Sequence, residues 1–156
     1  MKQVLWDGAN YPATSEDTTI SIHFSSATDR WATPRAVYES LDAEFGFDFD
    51  PCPLDGEVDG RSTLFSEWRG KRVFCNPPYG PEITKFLERA HEAELAVFLI
   101  PARTDTRWFH DIVLPKAREI RFIKGRLKFG DAKNSAPFPS MVVVFGETQN
   151  EHTDVR

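Results

Sequence analysis

Val73-Phe74-Cys75-Asn76-Pro77-Pro78-Tyr79-Gly80 is the stretch whose reading decides the fold. A short apolar run meets two prolines, which lack a backbone donor, fix their own φ and bias the residue before each away from the α region. A strand, Arg72–Asn76, must therefore end in a stiff, non-helical turn. Such a turn holds the Asn76 amide, the Pro77 carbonyl and the Tyr79 ring in one arrangement, the condition for a preorganised site. That arrangement suits a flat substrate carrying an NH2 group. Asn-Pro pairs also punctuate plain loops, and the place directly behind a strand favours the functional reading.

Working outward, Thr33 is a good N-cap, Pro34 suits the first helical position, and Val37, Leu41 and Phe45 share a face, which predicts a helix over 34–45 ended by Gly46. Phe47–Asp50 alternates apolar and acidic until Pro51-Cys52-Pro53 stops it, a short strand with Asp50 at its carboxyl end. Residues 54–70 read as loop. Ile83, Phe86, Leu87 and Ala90 have helical spacing over 81–93, and Leu95–Ile100 is unbroken apolar sequence, typical of a strand buried on both faces. Thr104 or Asp105 is then expected to cap a helix with Trp108, Phe109, Ile112 and Val113 on its apolar side. Glu119–Ile123 and Met141–Phe145 are further strands, and Arg126–Phe129 alternates like a small hairpin arm before a polar loop, 130–139.

Strands alternating with helices predict an α/β fold with a mainly parallel sheet, helices on both faces and ligands outside the carboxyl ends of the strands. Asp50 and Asn76 then end neighbouring strands. Residues 1–23 are expected to be a flexible, loosely docked arm, 24–146 the folded domain and 147–156 a frayed polar tail.

The 156 residues, 40% of them hydrophobic, are enough for one domain around one core. No apolar run approaches the ~20 residues that span a bilayer, and the N-terminus lacks a signal-peptide pattern, so an intracellular protein is expected. Cys52 and Cys75 make neither a disulfide framework nor a zinc site, and His23, His91, His110 and His152 show no ligand spacing, so no metal is expected. The net charge of −5 argues against a nucleic-acid partner until its distribution is examined. Residues 101–133 hold nine Lys/Arg against four Asp/Glu, whereas 1–100 hold nine against seventeen. Arg121, Lys124, Arg126, Lys128 and Lys133, interleaved with Phe129 and Phe138, are either a nucleic-acid surface or a solvated face. Arg103, Asp105, Arg107 and Trp108 follow a strand end facing the same cleft, with core packing the simpler role for Trp108.

The chemistry of an amine substrate explains the turn. The exocyclic amine of adenine is a poor nucleophile because its lone pair is delocalised into the ring. If the Asn76 side-chain oxygen and the Pro77 carbonyl each accept one N–H, they draw the amine toward tetrahedral geometry and stabilise the charge that grows as it attacks. Tyr79 would stack on the base, a contact worth about 1–3 kcal/mol.

Asn76-Pro77-Pro78-Tyr79 is also the motif of S-adenosylmethionine-dependent amino-methyltransferases, and the chain resembles the phage-type DNA N-6-adenine methyltransferases. The resemblance runs from about Phe24 to Gly146 and rests on Asp29-x-Trp31-x-Thr33-Pro34, Asp50-Pro51-Cys52-Pro53, Asn76–Gly80, Ala136–Ser140 and the Met141–Phe145 strand. It implies a compact Rossmann-like fold and methyl transfer from S-adenosylmethionine to N6 of an adenine flipped out of double-stranded DNA. It further implies no covalent nucleophile and a place in the cytoplasm of a bacterial or phage-infected cell. Asn76, Pro77, Pro78 and Tyr79 would be catalytic. Asp50, Pro51, Cys52, Trp31, Thr33, Pro34 and Asn76 would meet the cofactor, and Tyr79, Arg103, Arg107, Arg126 and Lys128 the DNA.

Asp50 has a second reading as the cap of the following turn, and the glycine-rich form of the cofactor turn is missing. Asp55, Glu57 and Asp59 are candidate ribose ligands that spacing does not separate. Only residues 51–75 lie between Asp50 and Asn76, short for this fold, and no separate target-recognition domain is seen. Relaxed sequence specificity is expected, or recognition by the 126–139 arm, the N-terminal arm or a second subunit. On the residues alone, a protein glutamine N-methyltransferase, a cytosine N4 enzyme and a non-catalytic nucleic-acid binder remain open.

Overall fold

Where the chain meets Gly46 and the prolines it changes element, and the computed structural model, which describes residues 2–6, 31–52, 67–130 and 135–146, follows that punctuation. The elements in order are β1 (Lys2–Trp6), α1 (Arg35–Phe45), β2 (Arg72–Cys75), α2 (Ile83–Glu88), a 3-10 turn (Ala90–Glu92), β3 (Leu95–Pro101), α3 (residues 107–116, with a π-helical middle, Phe109–Val113), β4 (Glu119–Ile123) and β5 (Ser140–Gly146). Lys2–Trp6, within the segment expected to be an arm, is the edge strand beside β4.

The sheet order is β1-β4-β5-β3-β2. The β1/β4 and β2/β3 pairs are parallel, and β5 is antiparallel to both β3 and β4. The sheet is thus mixed where a mainly parallel one was expected. The cause is the connection between β4 and β5, which contains no crossover helix among its described residues and is drawn together by a bond from the Ala136 N–H to the Leu127 carbonyl at 2.8 Å. A chain that returns at the end it left must run back antiparallel. Periodicity in Met141–Phe145 reports a buried strand and carries no information on its direction.

Strand alternation assigns the faces. Phe74 pairs with Val97 and Val97 with Val144, so these side chains share one face, and Phe98 lies on the other. On the first face Tyr38 of α1 meets Phe74 edge-on at 5.1 Å. There too the Arg121 guanidinium bridges Glu44 of α1 and its strand neighbour Glu119 and sits over the Phe45 ring at 5.3 Å. On the second face Phe98 packs against Trp68 and Phe145, and Arg89, at the end of α2, lies over Trp68. Helices therefore cover both faces, as expected. Every residue of β3 is buried, and each large apolar side chain removed from water contributes about 1.5–3 kcal/mol.

Three local expectations change. Thr33 is not a helix cap: Pro34 occupies that position without a side-chain bond, and the helix opens with Tyr38 N–H donating to the Pro34 carbonyl. The helix expected over 81–93 tightens after Glu88, where Arg89 and Glu92 donate to carbonyls three residues back. The cap of α3 falls on Thr106, whose hydroxyl accepts the Phe109 N–H, rather than on Thr104 or Asp105. Gly46 behaves as read, closing α1 at φ +65° with its N–H on the Asp42 carbonyl. No helix among the described residues is long and apolar enough to cross a membrane.

Gly146 closes β5 at φ +102°, and a Cβ there would lie 2.5 Å from the Glu94 carbonyl oxygen, whereas Gly125 at φ +78° faces open space. Both Gly→Ala changes incur the left-handed penalty of about 1–2 kcal/mol. Gly146→Ala should cost a further ~1–3 kcal/mol from the clash, read as the difference in urea-unfolding free energy. Equal losses at the two positions would refute this account of the β5 end.

Candidate functional site

β1, β2, β3 and β4 run in one direction and β5 in the other, which follows from their pairings. The carboxyl ends of β2, β3 and β4 and the amino end of β5 therefore share one rim. Phe47–Phe49 runs beside β2 in the same direction through the Phe49/Val73 bridge, with Asp48 N–H on the Arg72 carbonyl and Phe74 N–H on the Phe49 carbonyl, both at 3.0 Å. Asp50 and Asn76 consequently end neighbouring segments at that rim, as the sequence predicts. Arg103, Arg107, Lys124, Arg126 and Lys128 are all exposed and follow the ends of β3 and β4.

Asn76 is the centre of the rim. Its amide nitrogen donates both protons, one to the Trp31 carbonyl and one to the Thr33 hydroxyl oxygen at 2.9 Å. A backbone carbonyl only accepts, so the nitrogen must face the 31–33 segment and the orientation of the amide is fixed by chemistry. Its oxygen is left buried with no hydrogen-bond partner among the described residues, in a side chain 9% exposed. A buried acceptor without a donor is costly, on the order of 1–3 kcal/mol. Such an acceptor is open to a donor from outside the described residues.

Tyr79 is held as tightly. It is 7% exposed, its hydroxyl donates to the Leu99 carbonyl at 3.1 Å, and its ring meets Phe138 and Phe129 edge-on at 5.4 and 6.2 Å. Trp31 meets the same two phenylalanines at 5.3 and 5.6 Å. This cluster joins the turn, the lead-in to α1 and the 124–139 arm. Sequence reading finds Phe129 and Phe138 as aromatics among basic residues; the signal that could have found the cluster is that Tyr79, Phe129 and Phe138 each stand next to a glycine or a proline. Pro77 is buried and Pro78 half-buried.

Asp50 is half-buried, and its Oδ1 accepts the Cys52 N–H at 2.8 Å, so the turn-capping reading of Asp50 holds whatever else the carboxylate does. Pro51 and Cys52 are buried behind it. Burial pushes the Cys75 thiol well above its ordinary pKa, helped by the Cys52 thiol and then by the charge of Asp50. Burial likewise pushes the Tyr79 phenol well up. Neither group is an anion at neutral pH, and both cysteines are free and buried. Ser140, to which sequence reading gives no role beyond ending the Ala136–Ser140 stretch, stands at the start of β5 with its hydroxyl buried and unpartnered among the described residues. Its signal is a lone hydroxyl ahead of an apolar run.

The basic group is smaller than its sequence suggests. Arg121 is committed to Glu44 and Glu119, which hold its guanidinium pKa above its ordinary value. Asp29, Pro53, Asp55, Glu57, Asp59 and Lys133 lie outside the described residues. Among the described residues no cluster of His, Cys, Asp and Glu could hold a metal ion.

A sequence profile of the family described as DNA N-6-adenine-methyltransferase (Dam) matches residues 21–155. The chain is also similar to the DNA N-6-adenine-methyltransferase of Haemophilus phage HP1 (strain HP1c1), with 28% identity over 139 residues, covering 77% of this chain and 80% of the relative. No solved structure matches the chain.

The raised pKa values give a testable pH dependence. The folded state keeps protons on Cys75 and Tyr79 that an unfolded chain loses at roughly pH 8.5 and 10. Their contribution to stability is complete below roughly pH 8 and is lost as pH rises toward the folded values. Melting temperature should therefore fall across the alkaline range, and Tyr79→Phe should flatten the part of the fall near pH ~10. An unchanged alkaline slope in Tyr79→Phe would mean that the phenol is not buried.

Proposed function

The chain belongs to the DNA N-6-adenine-methyltransferase family, and we propose that it works by presenting the unpartnered oxygen of Asn76 to the adenine amine. It is a DNA adenine-N6 methyltransferase; membership of this family selects adenine in DNA over cytosine N4 and over a protein glutamine. The observation that carries the mechanism is the orientation of one side chain. With both Asn76 protons given to Trp31 and Thr33, the oxygen is the only group the amide can offer.

The Asn76 oxygen accepts one N–H of the amine and the Pro77 carbonyl the other. Together they favour the pyramidal form of the nitrogen and stabilise its growing positive charge, an effect strongest where the acceptors are fixed in advance and shielded from water. Holding the amine in line supplies much of the remaining rate gain. The proton leaves to solvent after transfer. The Cys75 thiol and the Tyr79 phenol, both protonated, are not poised as nucleophiles, which suits direct transfer.

S-adenosylmethionine, when bound, supplies an electrophilic methyl group on a positively charged sulfur. Asp50 has the charge to face such a cation, and buried Pro51 and Cys52 would back it. Thr33 and Trp31 have oxygens committed to Asn76, so Asp50, Pro51 and Cys52 form the cofactor turn of this reading. The sheet, Rossmann-like apart from the reversed β5, supports a compact methyltransferase fold with the donor at the rim.

The target base is extruded from double-stranded DNA and stacks on Tyr79. Because Tyr79 is only 7% exposed, base entry requires Phe129 and Phe138 to shift. Both belong to the arm that carries Arg126 and Lys128. Those two, with Arg103 and Arg107, grip the phosphates, and the reaction is placed in the cytoplasm of a bacterial or phage-infected cell.

Incubation with unmethylated DNA and donor, followed by digestion and nucleoside analysis, should yield N6-methyladenine. Asn76→Ala should lower kcat by about 10²–10³; full activity in that variant sinks the mechanism. Replacing Arg126 and Lys128 together by Gln should reduce the slope of log affinity against log salt by roughly 2. An unchanged slope would remove these residues from the DNA surface.

A further inference from the structure

We infer that Trp31–Thr33 is the positioning element of the catalytic amide, with the Thr33 hydroxyl and the Trp31 carbonyl jointly fixing which atom of Asn76 the substrate meets. The inference rests on the acceptor role given to Asn76 above and assigns Thr33 a task other than cofactor contact.

Three observations carry it. The two oxygens of the segment take both Asn76 protons, so neither remains to repel an incoming amine. The amide oxygen is buried and unpartnered, so nothing else among the described residues holds the side chain in that orientation. Thr33 is free for the task because it does not cap α1; Pro34 occupies that position without a side-chain bond.

The physical reason for two oxygens is selectivity between orientations. Rotated by half a turn, the amide would set its oxygen against the Trp31 carbonyl, two acceptors with no proton between them. A hydroxyl alone could serve either orientation, since it donates as well as accepts. The carbonyl selects the orientation, and the hydroxyl satisfies the second proton, which otherwise would be buried without a partner. The same logic excludes a carboxylate at this position, because Asn76→Asp would set a charged oxygen against the Trp31 carbonyl. The segment is itself seated by the Trp31 ring against Phe129 and Phe138. The arm proposed to touch DNA thereby supports the segment that aims the acceptor.

Thr33→Val keeps shape and removes the acceptor, and Thr33→Ser restores it. Thr33→Val should lower kcat on the order of tenfold, leaving donor affinity by calorimetry and KM for DNA unchanged, while Thr33→Ser should behave as the parent. Weakened donor binding with unchanged kcat would overturn the inference in favour of direct cofactor contact, and so would parent-like kinetics in Thr33→Val. A second readout needs no activity. The Asn76 side-chain amide protons, assigned in nitrogen-15 spectra by their loss in Asn76→Ala, should both exchange slowly in the parent. One should exchange rapidly in Thr33→Val. Thermal melts confirm that each variant is folded, with Thr33→Ala replacing Thr33→Val if the latter is not. Rapid exchange of both protons in the parent overturns the positioning role even if DNA is methylated. Slow exchange in a parent that methylates no DNA overturns the proposed mechanism and leaves the clamp intact.

Discussion

The structure depends on one amide having no freedom. Asn76 stands where β2 gives way to two prolines, and the segment before α1 takes both its protons. Everything around it keeps that relation in place. α1 is fixed to the sheet by Tyr38 on Phe74 and by Glu44 on Arg121, so the residues leading into the helix arrive at the end of β2. The turn in turn is tied to β3 through the Tyr79 hydroxyl. Sheet, helix and turn are each ordinary, and their meeting leaves the Asn76 oxygen buried without a partner among the described residues.

Much of this was legible in the sequence because its signals are local. Prolines at 77 and 78 force a turn wherever they stand, Gly46 ends a helix by its backbone alone, and the apolar run at Leu95–Ile100 needs two covered faces. The alternation Phe47–Asp50, cut by Pro51, located the second segment end at the rim. A family resemblance carried by those same residues added the reaction, which spacing alone does not contain.

What escaped was set by partners distant in sequence. Thr33 before Pro34 looks like a cap until Asn76, on another element, claims the hydroxyl. Arg121 reads as part of a basic surface until Glu44 and Glu119 close on it from a helix and its own strand. The direction of β5 depends on where its predecessor ended, and a hydrophobic pattern is the same read forwards or backwards. Tyr79 was expected to stack on a base, and its burial beneath two phenylalanines comes from an arm whose path the alternation at 126–129 did not reveal.

The reversal of β5 has a consequence for how such a protein diversifies. Both feet of the 124–139 loop stand on adjacent strands, about 5 Å apart, at the same edge of the sheet. Insertions or deletions between those feet alter neither strand register nor helix placement. The loop can therefore vary in length between Phe129 and Phe138 at little cost to the sheet, whereas those two phenylalanines, which seat Trp31, tie its ends to the clamp.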